Sequence, residues 1–260
     1  MLKVNKMSGI KIEVENLKKS FGEREILHNV SFSCQPGESI VILGESGMGK
    51  SVMMRIVGML LEATKGSVKL DGQETVGITE RAREKIMQKV GFLFQYSGLF
   101  DHLSVWENIM FYDLFIKKKN PYKMREIAEN LMKELGIPEQ AIENKPSEIS
   151  GGMQRRVALA RTIVKKPSLI LLDEPTTGLD PIICDVINNT INKTRQKTGA
   201  TMLTITHDLN SALQIGDRIV VLRYGEIIWD GSSFDIFDAK EKYIKDFIRA
   251  ANVNKKTLKA

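Results

Sequence analysis

The chain has 260 residues, a formal net charge of +6, and 42% apolar against 27% charged residues, the balance of a globular protein with room for a substantial core. Cys34 and Cys184 belong to no Cys/His cluster, which speaks against a structural zinc site or a disulfide framework and fits a reducing compartment. No run reaches the ~18 apolar residues of a membrane span, Met1 to Lys19 is too charged for a signal-peptide core, and scattered lysines without interleaved aromatics give no nucleic-acid platform. The expected place is therefore the cytosol or the cytosolic face of a membrane.

The first element alternates, with Ile10, Ile12 and Val14 opposite Lys11, Glu13 and Glu15, the pattern of a half-buried strand. Val30, Phe32 and Cys34 repeat it before the turn Pro36-Gly37. Ile40 to Leu43 is apolar throughout, which suits a central strand buried on both faces, and similar runs occur at Val90 to Phe94, Leu169 to Leu172 and Met202 to Ile205. Helical periodicity falls at 50–61, 104–115, 122–135, 150–165 and 181–197. Strands alternating with helices predict an α/β fold with a mostly parallel sheet. The two opening strands with Val68 and Leu70 predict an antiparallel addition, and 218–229 predicts a hairpin. The stretch 96–165 has no strand signal and is expected to be an inserted helical subdomain. A short helical tail follows residue 232.

Gly44-Glu45-Ser46-Gly47-Met48-Gly49-Lys50-Ser51 fits G-x-x-x-x-G-K-[ST] between a buried strand and a helix that begins with Val52. Glycines let backbone N–H groups curl round a phosphate chain, Lys50 reaches the β- and γ-phosphates, and the Ser51 hydroxyl suits Mg²⁺. Downstream, the apolar run from Leu169 ends in Asp173 and Glu174. At the carboxyl end of a parallel strand Asp173 would hold Mg²⁺, and Glu174 would polarise a water. Ser150-Gly151-Gly152 opens another helix with exposed N–H groups, a second phosphate-ready surface. With one phosphate loop in the chain, this second surface suggests a nucleotide clasped between two copies.

Taken together, these residues resemble the nucleotide-binding subunit of ABC transporters over residues 10–235. The phosphate loop, Gln95, the signature at 150–154, the acids, Gly178-Leu179-Asp180 and His207 follow in the family's order. The resemblance implies a P-loop NTPase core at 8–95 and 166–231, with an antiparallel β subdomain and a helical signature subdomain at 96–165. It makes 8–245 one domain and 246–260 a polar tail. It implies ATP and Mg²⁺ as cofactors, with Ser51, Gln95 and Asp173 at the metal. Glu174, His207, Lys50 and Gln95 would carry hydrolysis, with Val52, Ser150, Gly151, Gly152 and Gln154 at the nucleotide. Phe21 stands where the family stacks an aromatic on adenine; the alternative is a core Phe. Glu45 replaces a common proline, Val52 a threonine and Ile149 a leucine, and none of these removes a catalytic group.

The implied partners are a second copy and integral-membrane permease subunits, on the cytoplasmic side of the inner membrane. Tyr96-Ser97-Gly98-Leu99-Phe100-Asp101, with Ser150 to Ala160, is further similar to Mla-type ATPases, which move phospholipids with an MCE-domain protein. The alternatives are an amino-acid importer or a soluble ABC ATPase without a permease. Large apolar residues from Tyr96 to Trp106 predict a docking surface, unless they fill the core of the insert.

Overall fold

The computed structural model describes residues 9–253. In chain order it comprises β1 (Ile12–Phe21), β2 (Arg24–Cys34), β3 (Ser39–Leu43), α1 (Lys50–Val57), β4 (Lys65–Leu70), β5 (Gln73–Glu74), α2 (Glu80–Met87) and β6 (Val90–Leu93). There follow α3 (Val105–Phe111), a π-helical stretch Tyr112–Ile116, α4 (Pro121–Glu134) and α5 (Gly151–Ile163). The chain then returns to the core with β7 (Leu169–Asp173), α6 (Pro181–Thr198), β8 (Thr201–Thr206), α7 (Leu209–Ile215), β9 (Arg218–Arg223), β10 (Glu226–Ser232) and α8 (Lys242–Ala250).

The six-stranded sheet has the order β10-β9-β3-β8-β7-β6. All its neighbours pair parallel except the terminal β9–β10 hairpin. A second, antiparallel sheet has the order β2-β1-β4-β5. Alternation on one strand shows how the layers are built. Ile40 and Ile42 of β3 pack with α1 and the antiparallel sheet, while Val41 and Leu43 pack with the helices on the opposite face. Both faces are dry, so every residue of the strand is apolar or fully covered, as the continuous apolar run requires. The α/β architecture expected from the sequence, with its antiparallel addition and helical insert, is the one observed.

Details differ where local chemistry overrides periodicity. The helix expected over 50–61 stops at Val57, because Gly58 caps it and Met59 takes φ +57°. The helix expected over 104–115 opens with a capping box of Ser104 and Glu107, then gives way to the π-helical stretch. The expected polar tail from 246 is partly helix: α8 runs to Ala250, and its Tyr243, Phe247 and Ile248 pack against the main core. Residue 8 and the polar end 254–260 lie outside the described residues. Among the described residues no helix is long and apolar enough to cross a membrane.

Candidate active site

The loop 44–51 lies between the end of β3 and the start of α1, at the carboxyl edge of the parallel sheet. Its shape depends on glycine at two points. A Cβ on Gly44 would stand 2.3 Å from the Leu222 carbonyl oxygen of β9, so only a bare backbone passes there. Gly49 has φ +97°, and its Cβ would lie 2.8 Å from Leu27 of the antiparallel sheet. Glu45, Ser46 and Gly47 are exposed, whereas Lys50 is buried. The Lys50 ammonium donates to the carbonyls of Gly44 (2.6 Å) and Glu45 (2.8 Å) and lies 3.8 Å from Glu174 Oε1. Burial pulls its pKa down, against the opposing charges of Glu174 and Asp173. Such a cation gains from an incoming polyphosphate more than a solvated lysine would.

β7 delivers Asp173 and Glu174 next to this loop. Ser51 Oγ lies 3.5 Å from Asp173 Oδ1. Burial raises the Asp173 pKa, and the neighbouring Glu174 charge raises it further. A hydroxyl and a buried carboxylate at this spacing form a small hard-oxygen set. That suits Mg²⁺, which keeps most of its waters and takes few protein ligands besides phosphate oxygens. Among the described residues no group of three or more His, Cys, Asp and Glu could hold a metal by itself, so the phosphates would have to complete the coordination.

Glu174 is buried and sits in the left-handed region at φ +49°, a conformation costing a non-glycine residue roughly 1–2 kcal/mol. Its amide donates to the Ile205 carbonyl at 3.0 Å. One carboxylate oxygen, Oε2, collects three partners: the Thr177 hydroxyl at 2.6 Å, His207 Nδ1 at 2.9 Å and the Thr206 hydroxyl at 3.4 Å. The other oxygen faces Lys50. The carboxylate is thus fixed through Oε2, while Oε1 is turned toward the phosphate-loop cation. The His207 side chain is 47% exposed, so its ring reaches from solvent to the buried acid.

Ser150 caps α5, its hydroxyl accepting from the Met153 amide at 3.3 Å. Gly151 is exposed and Gly152 half-buried. Gly151 and Gln154 line a cavity of about 470 Å³ with Gln95, Thr177, Gly178 and Leu179, and no residue of the phosphate loop lines it. The α5 end thus opens onto a cavity separate from the residues of its own phosphate loop. Gln95 is exposed just past β6. The Gln154 amide donates to the Pro146 carbonyl at 2.8 Å, which makes it a brace for the turn before α5. Phe21 is 51% exposed, with the Lys19 ammonium 4.8 Å from its ring centroid, so it is not the core Phe that the sequence left open. Its free face suits stacking on a planar base.

A model of the ABC transporter family matches residues 27–177. The chain belongs to this family. It is 35% identical over 241 residues to the arginine transport ATP-binding protein ArtM of Bacillus subtilis (strain 168), covering 91% of this chain and 98% of that one. It is 36% identical over 221 residues to the glutamine transport ATP-binding protein GlnQ of Escherichia coli (strain K12), covering 85% and 91%. The ATP-binding cassette MJ0796, solved as a dimer in a post-hydrolysis state with ADP and Pi, superposes with a TM-score of 0.79. It is 33% identical, over 85% of this chain and 98% of that one.

This ABC subunit is accordingly an ATP-binding, ATP-hydrolysing cassette with Mg²⁺ as its metal. These similar proteins are arginine and glutamine transport ATP-binding proteins, and a spermidine/putrescine import ATP-binding protein of Haemophilus ducreyi (strain 35000HP / ATCC 700724) is 33% identical over 245 residues; none of them is Mla-type. The Tyr96–Trp106 segment rested on surface exposure, and the structure divides it. Tyr96 is 84% and Phe100 36% exposed, but Trp106 is half-buried against the insert core. Sequence reasoning also missed the residues that shape this loop. The buried Asn108 side chain accepts from the Phe100 amide and donates to the carbonyls of Phe100, Leu103 and Ser104. Arg161 donates to the carbonyls of Ser97 and Gly98. An asparagine inside a helical apolar stripe was the available signal for the first.

Proposed function

We propose that this chain is the nucleotide-driven motor of a membrane importer for a small polar solute of the amino-acid class. Two copies close head to tail on ATP. In each site Lys50 holds the β- and γ-phosphates, Ser51 and Asp173 hold the metal, and Glu174 accepts the proton of the attacking water. His207 orients Glu174 and the γ-phosphate, and Gln95 meets the metal or the water. Ser150-Gly151-Gly152 of the opposite copy completes the phosphate cradle. Mg²⁺ supplies charge neutralisation between the phosphates when bound; the rest is positioning by this chain's own groups. The observation that carries the reading is the convergence of Lys50 and His207 on the two carboxylate oxygens of Glu174, at 3.8 Å from Oε1 and 2.9 Å from Oε2, at the sheet edge. The near full-length similarity to arginine and glutamine transport ATP-binding proteins supports the cargo class.

A second reading, phospholipid movement with an MCE-domain protein, draws on the segment Tyr96-Ser97-Gly98-Leu99-Phe100-Asp101. There the Phe100 ring stacks on Phe111 at 4.2 Å, and Phe111 leans on the half-exposed Phe115 at 5.3 Å. On either reading this aromatic face is the permease dock, since exposed large apolar residues in contact with one another mark an interface. Purification of the chain from membranes separates the two. An integral-membrane permease with a solute-binding protein supports import of a polar solute; a permease with co-purifying phospholipid and a lipid-binding partner supports the second reading. Tyr96→Asp and Phe100→Asp should each cut permease recovery by about tenfold, the loss of one interface anchor of ~1.4 kcal/mol or more, with ATP binding unchanged. Full recovery with both would place the dock elsewhere.

A further inference from the structure

Arg155 is a buried cation that the chemistry described so far does not use. It lies one turn into α5 and is 5% exposed. Among the described residues no ion pair is formed with it, since its two recorded partners are both main-chain carbonyls. Nη1 donates to the Phe94 oxygen at 2.6 Å and Nη2 to the Glu174 oxygen at 3.1 Å. Phe94 immediately precedes Gln95. β6 and β7 are neighbours in the sheet, with Leu93 opposite Leu172, so these two carbonyls sit just past the ends of adjacent strands. One rigid fork therefore spans the exits of both strands, and it is carried by the helix whose first turn is Ser150-Gly151-Gly152.

A buried guanidinium is expensive to keep without a carboxylate, and its retention needs donors well matched to acceptors. The geometry supplies a reason for it. The Glu174 amide is already held by Ile205, and Arg155 holds the carbonyl of the same residue. Both poles of a residue at φ +49° are thus fixed. The charges of Asp173 and Glu174 favour the cation, while burial opposes it.

We propose that Arg155 is a positioning residue for ATP hydrolysis, tying the Ser150-Gly151-Gly152 helix to the backbone of Glu174 and to the residue before Gln95. The Glu174 carboxylate then reaches its working place only when α5 is set against the core. Closure of the second copy on the α5 end is thereby reported to the hydrolytic acid through one side chain. This inference rests on the reading of Glu174 as the base.

The test compares Arg155→Gln, Arg155→Lys and Glu174→Gln in the purified full chain, measuring kcat, KM for ATP, melting temperature and binding of a fluorescent ATP analogue. Misplacement of a catalytic group by ~1 Å costs up to about 10²-fold. Arg155→Gln should therefore lower kcat by about tenfold to a hundredfold per ATP-binding molecule, with KM within about threefold. Arg155→Lys keeps the charge but has no planar fork to span two carbonyls, and should restore only part of the rate. A purely structural role would lower the melting temperature and the active fraction and leave kcat per binding-competent molecule within about twofold; that result overturns the proposal. Should the glutamine variant fail to fold, the lysine variant is judged by the same threshold. Turnover retained in Glu174→Gln would instead sink the assignment of the base. A silent Glu174→Gln beside a fully active Arg155→Gln sinks the Arg155 proposal alone.

Discussion

Glu174→Gln is expected to bind Mg-ATP and release almost no phosphate. The amide keeps the shape of the side chain and can still meet Thr177 and His207, but it cannot take up a proton. A positioned base contributes about 10²–10⁴-fold, so turnover should fall by at least that lower figure, measured as phosphate release at saturating ATP. The structure adds a reason to expect the full effect. Oε2 is fixed by Thr177, Thr206 and His207, while the neighbouring Asp173 lies against the Ser51 hydroxyl at 3.5 Å and is engaged there. If turnover of Glu174→Gln stays within about twofold, another group is the base.

Lys50→Ala should have the other large effect, and of a different kind. The ammonium is the phosphate loop's cation, and it is already desolvated against the Gly44 and Glu45 carbonyls. Its removal deprives the β- and γ-phosphates of a charge-assisted contact in a buried site, so ATP affinity and turnover should both drop, turnover by about 10²-fold or more. It also removes the ammonium that lies 3.8 Å from Glu174 Oε1. The ATP-free variant should also melt below the parent, because removing one partner of this buried pair leaves the Glu174 charge uncompensated. Near-normal hydrolysis would mean that residues 44–51 are not the phosphate loop.

Much of this arrangement is legible in the sequence because burial writes itself into composition. Ile40 to Leu43, Leu169 to Leu172 and Met202 to Ile205 are apolar on both sides because helices and the antiparallel sheet cover both faces, and those runs locate the strand ends where Lys50, Asp173, Glu174 and His207 stand. Elements that bury little, are short or break their register were harder to read. α2 buries only Ile86 and is held at its start by Thr79, so it carries no apolar stripe to read. α7 is a seven-residue helix started by Asp208, too short for a period to emerge. β1 extends to Phe21 through register shifts after Val14, which break strict alternation. The site's finer geometry is invisible for another reason. Arg155 and Arg161 act on backbone carbonyls, and an acceptor carbonyl leaves no mark on residue identity. The hint for Arg155 was a charge in register with Ala158, Leu159 and Thr162 on a buried helix face.

The central claim is that each ATP is hydrolysed between the phosphate loop of one copy and Ser150-Gly151-Gly152 of another. Two inactive chains test it together. Ser150→Arg places a long cation where the γ-phosphate should dock but leaves the loop 44–51 intact; Lys50→Ala spoils that loop but leaves the α5 end intact. Each alone should stay near the monomer mass of 29.3 kDa in Mg-ATP, measured by light scattering. Mixed in equal amounts, they rebuild one complete site per pair, and ATP-dependent dimers should appear with partial phosphate release. A mixture that remains monomeric at saturating Mg-ATP, alongside a parent chain that dimerises under the same conditions, would contradict the account.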